Sequence, residues 1–146
     1  MLATAESCTG GLIATRCTDL AGSSAWFDRA FVTYSNLAKS DMLGVPQALI
    51  AAHGAVSAPV AKAMALGAVY RSSAVVSVAV TGVAGPGGGS PEKPVGTVWL
   101  AWCIAGDVQT ELRLFSGDRE QIRASTALCA LEGLLARLPP AHSSVR

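Results

Sequence analysis

Ala74-Val75-Val76-Ser77-Val78-Ala79-Val80 is an almost unbroken apolar run dominated by valine. A strand wetted on one face alternates apolar and polar residues, whereas a strand covered on both faces has no such alternation. The run therefore predicts a central strand with helices above and below it. Immediately before it, Ser57 and Pro59 open a helix that continues through Met64, Leu66 and Tyr70. After it, residues 81–94 form a long glycine- and proline-rich loop. Two further strands follow over residues 95–103 and 108–115, joined as a hairpin at Ala105-Gly106-Asp107. Asp118, with Gln121 in the capping-box position, starts a last helix that Pro139-Pro140 ends. Its Ile122, Leu128, Leu131, Leu135 and Leu138 are expected to face the core.

Towards the N-terminus, Met1-Leu2-Ala3 and Thr4-Ala5-Glu6-Ser7-Cys8-Thr9-Gly10-Gly11 run into an apolar-periodic stretch through Leu12, Ile13, Cys17 and Leu20 that Gly22 stops. This reads as strand, sharp turn and helix. Residues 30–35 are β-branched and aromatic and predict a second strand, followed by a short helix over 36–44 closed by Gly44. Pro46 opens another helix through Ile50 that ends at His53-Gly54. The order of elements predicts a three-layer α/β/α sandwich on a mixed, mostly parallel sheet. It spans residues 1–138 as one domain, with a flexible tail over 139–146.

Hydrophobic residues make up 51% of the 146-residue chain but aromatics only 5%, so the core rests on Ala, Val and Leu and close helix–sheet packing is expected. Charged residues, at 14%, fall well below the ~25% of ordinary domains, which suggests surface covered by another subunit and hence a homo-oligomer. A formal net charge of +1, from singly scattered Lys and Arg, gives no footprint for nucleic acid or an anionic membrane. The apolar run 98–105 is far too short to span a bilayer, and no secretory signal opens the chain, so a cytoplasmic location is expected. Cys8, Cys17, Cys103 and Cys129 lack the spacing of a metal site, and no metal or cofactor is expected. Cys17, Cys103 and Cys129 read as reduced core residues.

Ser7 stands where a strand-to-helix turn exposes a nucleophile, and free N–H groups at a helix start suit a developing oxyanion. The plain alternative is a helix cap. Cys8 is a rival nucleophile whose thiol pKa a helix start would lower. Lys39, near the end of the second strand, is a candidate base: a desolvated lysine loses its proton near neutral pH and then accepts one from serine. Considered alone, it reads equally as an exposed lysine. His53 is the one histidine placed for a Ser-His-Asp triad, since His142 lies in the tail, but a histidine at a helix C-terminus is commonly a favourable cap. Glu6, Asp28 and Asp41 are isolated, and the acids read as solvated surface. The loop 82–89 fits neither phosphate-binding glycine pattern, G-x-x-x-x-G-K-[ST] or G-x-G-x-x-G, and leaves open either an anion-binding loop or a wide surface turn.

Thr4-Ala5-Glu6-Ser7-Cys8-Thr9-Gly10-Gly11, Tyr34-Ser35-Asn36-Leu37-Ala38-Lys39, Gly54-Ala55-Val56-Ser57, Val80-Thr81-Gly82-Val83-Ala84-Gly85-Pro86-Gly87-Gly88, Lys93-Pro94-Val95-Gly96-Thr97-Val98 and Phe115-Ser116-Gly117-Asp118-Arg119, through Arg123, together resemble the CinA C-terminal-domain family. The resemblance covers nearly the whole chain in order and spacing. It implies a serine–lysine hydrolase of the nicotinamide mononucleotide amidohydrolase type, with Ser7 as nucleophile, Lys39 as general base and Tyr34 aiding proton transfer or positioning. It further implies Thr9 and Gly10 N–H groups as oxyanion donors and a nucleotide pocket lined by Gly82, Gly85 and Gly87. Arg123 is implied to hold the substrate phosphate or support the dyad, with Arg119 as its competitor. The alternatives are a non-catalytic nucleotide-binding or regulatory module and a hydrolase of another amide or ester. Family members usually carry a helix before the first strand, and the longer competence-associated form carries a further N-terminal domain; neither is expected here.

Overall fold

The computed structural model describes residues 1–141; the expected tail falls largely, and His142 wholly, outside them. Five strands form one sheet in the order β2-β1-β3-β4-β5. They are β1 (Leu2–Glu6), β2 (Phe27–Val32), β3 (Val76–Gly82), β4 (Thr97–Ile104) and β5 (Asp107–Leu114). β1 pairs in parallel with both β2 and β3, while β4 is antiparallel to β3 and β5. Four strands thus share one direction and β4 alone runs against them, as expected for a mixed, mostly parallel sheet. The valine-rich run is the central strand, β3, as expected, and is buried on both faces.

Period-2 alternation sends each strand's side chains to two separate cores. On one face Ala3, Ala5, Ala79 and Ala101 meet α4 (Ala58–Tyr70) through its Ala61, Met64, Ala65 and Ala68. Alanine facing alanine lets helix and sheet approach closely, so that Ser77 Oγ donates to the Ala65 carbonyl at 2.7 Å. α2 (Asn36–Leu43) and α3 (Gln47–His53) complete this layer. On the other face Val78, Val80, Val98, Leu100 and Trp102 meet α1 (Leu12–Thr18) and α5 (Arg119–Arg137).

α5 begins with the expected capping box: Asp118 accepts from the Gln121 N–H, and the Gln121 side chain accepts from the Asp118 N–H. Its buried face differs from expectation. Ile122, Thr126, Ala127, Ala130 and Leu134 are buried, while Leu128 and Leu135 point to solvent. Trp102 decides this, because its broad indole fits only beneath small residues. Its Nε1 donates to the Ala130 carbonyl at 2.9 Å and the ring packs on Gly133. Elsewhere the second strand starts and ends three residues earlier than expected, at Phe27–Val32, since the ladder to β1 ends at Glu6↔Val32. Cys17 and Cys103 are buried and Cys129 half-buried, all free thiols.

Candidate active site

β1 is the strand at which the chain reverses its direction across the sheet. From β1 the chain passes through α1 to β2 on one side, then through α2, α3 and α4 back to β3 on the other. Parallel strands put the carboxyl ends of β1, β2 and β3 together, and such a switch point opens a crevice there. A cleft of about 340 Å³ lies at that place, lined among others by Ser7, Cys8, Tyr34, Lys39, Thr81, Gly82, Gly85, Gly87 and Arg119.

Ser7 directly follows β1, and its N–H still bonds the Val80 carbonyl at 3.1 Å. Alternation places it on the side of Ala3 and Ala5, the side of α2. There Lys39 meets it. The amine Nζ lies 3.0 Å from Ser7 Oγ and donates to the Thr33 carbonyl at 2.9 Å. Ser35 caps α2 by accepting from the Ala38 N–H, which fixes the first turn that carries Lys39. Lys39 is only 1% exposed, and among the described residues no carboxylate pairs with it. Burial pulls its pKa below the usual lysine value, against a smaller opposing influence of Cys8. An amine so placed lies within proton-transfer distance of the serine hydroxyl whenever it is neutral. The plain readings, Ser7 as a helix cap and Lys39 as an exposed lysine, do not hold: among the described residues Ser7 Oγ meets Lys39 and takes no N–H of α1, and Lys39 is buried.

The cap is Glu6, which sequence reasoning placed at the surface. It is fully buried. One carboxylate oxygen accepts from Thr9 Oγ1 at 2.7 Å and the Ile13 N–H at 2.9 Å, the other from the Ala14 N–H at 3.0 Å and Thr4 Oγ1 at 3.1 Å. The N–H groups of α1 that an external anion would seek are therefore occupied. An acid inside a strand buried at every position survives only with several donors.

Burial disfavours Cys8 as the nucleophile. Burial pushes its thiol up to about 11, outweighing its own backbone N–H, Lys39 and Arg123, so it is protonated at neutral pH. Of the two expected oxyanion donors, Gly10 N–H is committed to the Ser7 carbonyl at 3.0 Å; among the described residues no backbone carbonyl takes the Cys8 or Thr9 N–H. Tyr34 stands exposed at the rim, and its hydroxyl accepts from Arg119 Nη2 at 2.9 Å rather than bonding Ser7 or Lys39. Arg119 also donates to the Gly85 carbonyl at 2.8 Å, so it faces the cleft. Arg123, the arginine expected at the substrate, instead donates to the Cys8 and Thr9 carbonyls at 3.1 and 3.0 Å. Gly82 and Gly85 are required by close packing: a Cβ would lie 2.7 Å from Val98 Cγ2 at Gly82 and 2.5 Å from Val95 Cγ1 at Gly85. Gly87 has open space around it. His53 is exposed at the end of α3, where its carbonyl accepts from Lys93 Nζ at 3.0 Å, and it is not on the cleft. Among the described residues, no group of three His, Cys, Asp or Glu side chains is arranged to hold a metal, and no helix is long and apolar enough to cross a membrane.

Relatives of this chain share its fold and much of its sequence. It is 58% identical over 134 residues to a CinA-like protein of Akkermansia muciniphila, covering 91% of this chain but only 32% of that relative. The chain thus spans about a third of that longer protein. It is 58% identical over 132 residues to nicotinamide-nucleotide amidohydrolase PncC of Pseudomonas putida, covering 90% of this chain and 82% of the relative. PncC of Escherichia coli K12 is 54% identical over 132 residues, with 90% and 80% covered. The crystal structure of competence/damage inducible protein CihA from Agrobacterium tumefaciens superposes with a TM-score of 0.90 at 56% identity, covering 93% of this chain and 84% of that one. Residues 1–138 match the model of the CinA C-terminal domain, and the chain belongs to that family.

Proposed function

We propose that this protein is an amidohydrolase that converts nicotinamide mononucleotide to nicotinic acid mononucleotide and ammonia through a Ser7–Lys39 dyad. One observation carries the reading: a hydroxyl and an amine 3.0 Å apart, with the amine desolvated and opposed by no carboxylate among the described residues. Relatives named as nicotinamide-nucleotide amidohydrolases, 54% to 58% identical over 90% of this chain, support the substrate.

Lys39 enters the reaction neutral, its N–H groups steered by the Thr33 carbonyl. Its lone pair takes the Ser7 proton as Oγ attacks the carboxamide carbon. The C–N bond breaks as the Lys39 ammonium gives that proton to the departing nitrogen, leaving ammonia and a nicotinoyl ester on Ser7. Water attacks the ester, passing one proton to Lys39, and collapse of the second tetrahedral intermediate returns it to Ser7 Oγ. One water is consumed and one ammonia released. Arg119, oriented by Tyr34 and the Gly85 carbonyl, is assigned to the substrate phosphate together with the loop N–H groups of residues 82–89. In this reading Tyr34 positions the arginine and does not carry the proton.

A non-catalytic nucleotide-binding module would gain nothing from a buried lysine without a counter-charge, so the cost of burying Lys39 favours the enzyme. The unit of function in this reading is the single domain over residues 1–138, at work in the cytoplasm. A homo-oligomer is supported by the low charge content and by an apolar groove of about 470 Å³ at the opposite end of the sheet, lined by Leu20, Trp26, Leu131 and Leu135.

Ammonia release by purified protein tests the proposal. Nicotinamide mononucleotide should be hydrolysed and the riboside, lacking phosphate, should be a poor substrate. Arg119→Ala should raise KM for the mononucleotide by about 10- to 100-fold, the loss of charge-assisted hydrogen bonds, and leave the riboside rate alone. A wild-type protein that binds the mononucleotide, seen as a raised melting temperature, yet forms no product would decide for the module.

A further inference from the structure

We infer that Arg123 is a positioning residue: it holds the backbone of the Ser7 turn so that the Cys8 and Thr9 N–H groups are set to receive the oxyanion. The inference rests on the serine-hydrolase reading of the site but not on the identity of the amide. Arg123 comes from the first turns of α5, far away in sequence, and its guanidinium fork grips two successive carbonyls, Cys8 at 3.1 Å and Thr9 at 3.0 Å. In a trans peptide the C=O and N–H point in opposite directions. Pulling the Cys8 carbonyl to Arg123 therefore turns the Thr9 N–H to the far side. Pulling the Thr9 carbonyl orients the next peptide, whose Gly10 N–H donates to the Ser7 carbonyl at 3.0 Å. That bond in turn fixes the Ser7–Cys8 peptide and its Cys8 N–H. The two N–H groups so aimed are those that no backbone carbonyl accepts among the described residues.

The first-turn N–H groups of α1 play no part, since Glu6 takes those of Ile13 and Ala14. Gly10, at a left-handed φ of 59°, lets the turn close, and a Cβ there would lie 3.5 Å from Arg123 Nη2. Among the described residues Arg123 has no carboxylate partner, so its charge polarises the two peptides it holds and strengthens their N–H groups as donors. Half-buried behind the turn, it is not among the residues that line the cleft, which leaves Arg119 to meet the substrate.

The test compares wild type, Arg123→Ala and Arg123→Lys by steady-state kinetics on nicotinamide mononucleotide across pH, and by the rate at which a fluorophosphonate labels Ser7. Loss of one oxyanion donor costs about 10²- to 10³-fold, so a misaimed pair in Arg123→Ala should cost kcat about 10- to 100-fold. KM should stay within about twofold and the pH midpoint of kcat/KM should not move. Arg123→Lys, able to reach one carbonyl, should recover part of the rate, and added guanidinium ion should partly rescue Arg123→Ala. A raised KM at constant kcat would make Arg123 a substrate contact, and a shifted pH midpoint would make it act through Lys39; either overturns the inference. So does an Arg123→Lys protein as slow as Arg123→Ala, with both melting temperatures equally lowered. Should wild type be labelled at Ser7 but release no ammonia, the substrate assignment falls; slower labelling of Arg123→Ala then still upholds the clamp, and equal labelling overturns it.

Discussion

Two buried ionisable side chains stand on opposite sides of the same turn, and they are held in opposite ways. Below it, Glu6 receives four hydrogen bonds, two from threonine hydroxyls and two from the start of α1. Beyond the turn, Lys39 touches one neutral hydroxyl and one neutral carbonyl. Burying a polar group is tolerated when its partners are many and well placed, as for Glu6; with few partners, as for Lys39, burial disfavours the charged form. Glu6 therefore supports structure, Lys39 is the base of the proposed mechanism, and the contrast separates the residue that builds this site from the one proposed to operate it.

The comparison is broken most severely by emptying the reactive side. Ser7→Ala and Lys39→Ala should each lower amide hydrolysis by ~10⁴-fold, and the double variant should be hardly worse, because the two act as a unit. Additive losses in ammonia release would show that they act separately.

On the structural side the expected loss is in stability. Glu6→Gln replaces an all-acceptor group with one that brings its own N–H donors, so at least one buried donor loses its partner. Urea unfolding should show about 2–3 kcal/mol less stability. An unchanged midpoint would mean that the four bonds contribute nothing net.

The pH dependence sharpens the contrast. With its pKa lowered by burial, folded Lys39 releases its proton at a pH where the unfolded chain still holds one. The unfolded state then binds more protons, so stability rises with pH from the folded pKa up to the ordinary lysine value. Lys39→Met should flatten that part of a plot of melting temperature against pH. In the wild type kcat/KM should climb as Lys39 loses its proton, at a pH below the usual lysine range. A profile flat across that region would count against lysine as the base.

The smallest effect is expected at Cys8. Its thiol is protonated and uninvolved, so Cys8→Ala should keep ammonia release within about threefold, apart from ~1 kcal/mol of lost packing. Inactivation by this change, in a protein that still folds, would return the nucleophile to sulfur.

Much of this site was legible in the chain. The strand–turn–helix at Ser7 and the capping box at Asp118 are local devices, each specified within a few residues; the Ser35 cap that starts α2 was hidden inside the stretch read as a strand. Glu6 was misread, and the choice between the two arginines was left open, for one reason: their partners are remote. An acid flanked by threonine and serine looks like surface until the helix it caps folds over it, and Arg119 and Arg123, one turn apart on α5, look interchangeable. Leu128 and Leu135 were misassigned to the core because a helix pattern shows that an apolar face exists but not how far a neighbouring tryptophan rotates it.

The sequence by itself determined the layers and the element order and put forward Ser7 and Lys39 as candidates, because alternation, helical spacing and turn chemistry act over short distances. Alternation in β1 even carries the division of labour, sending Glu6 toward α1 and Ser7 toward α2. Only the tertiary structure decided that Lys39 is dry, that Gly10 is already bonded, and that Arg119 meets the cleft while Arg123 grips the turn from behind. Desolvation and hydrogen-bond partnership arise from segments brought together across the whole chain, and they exist only once the sheet has closed between its two layers of helices.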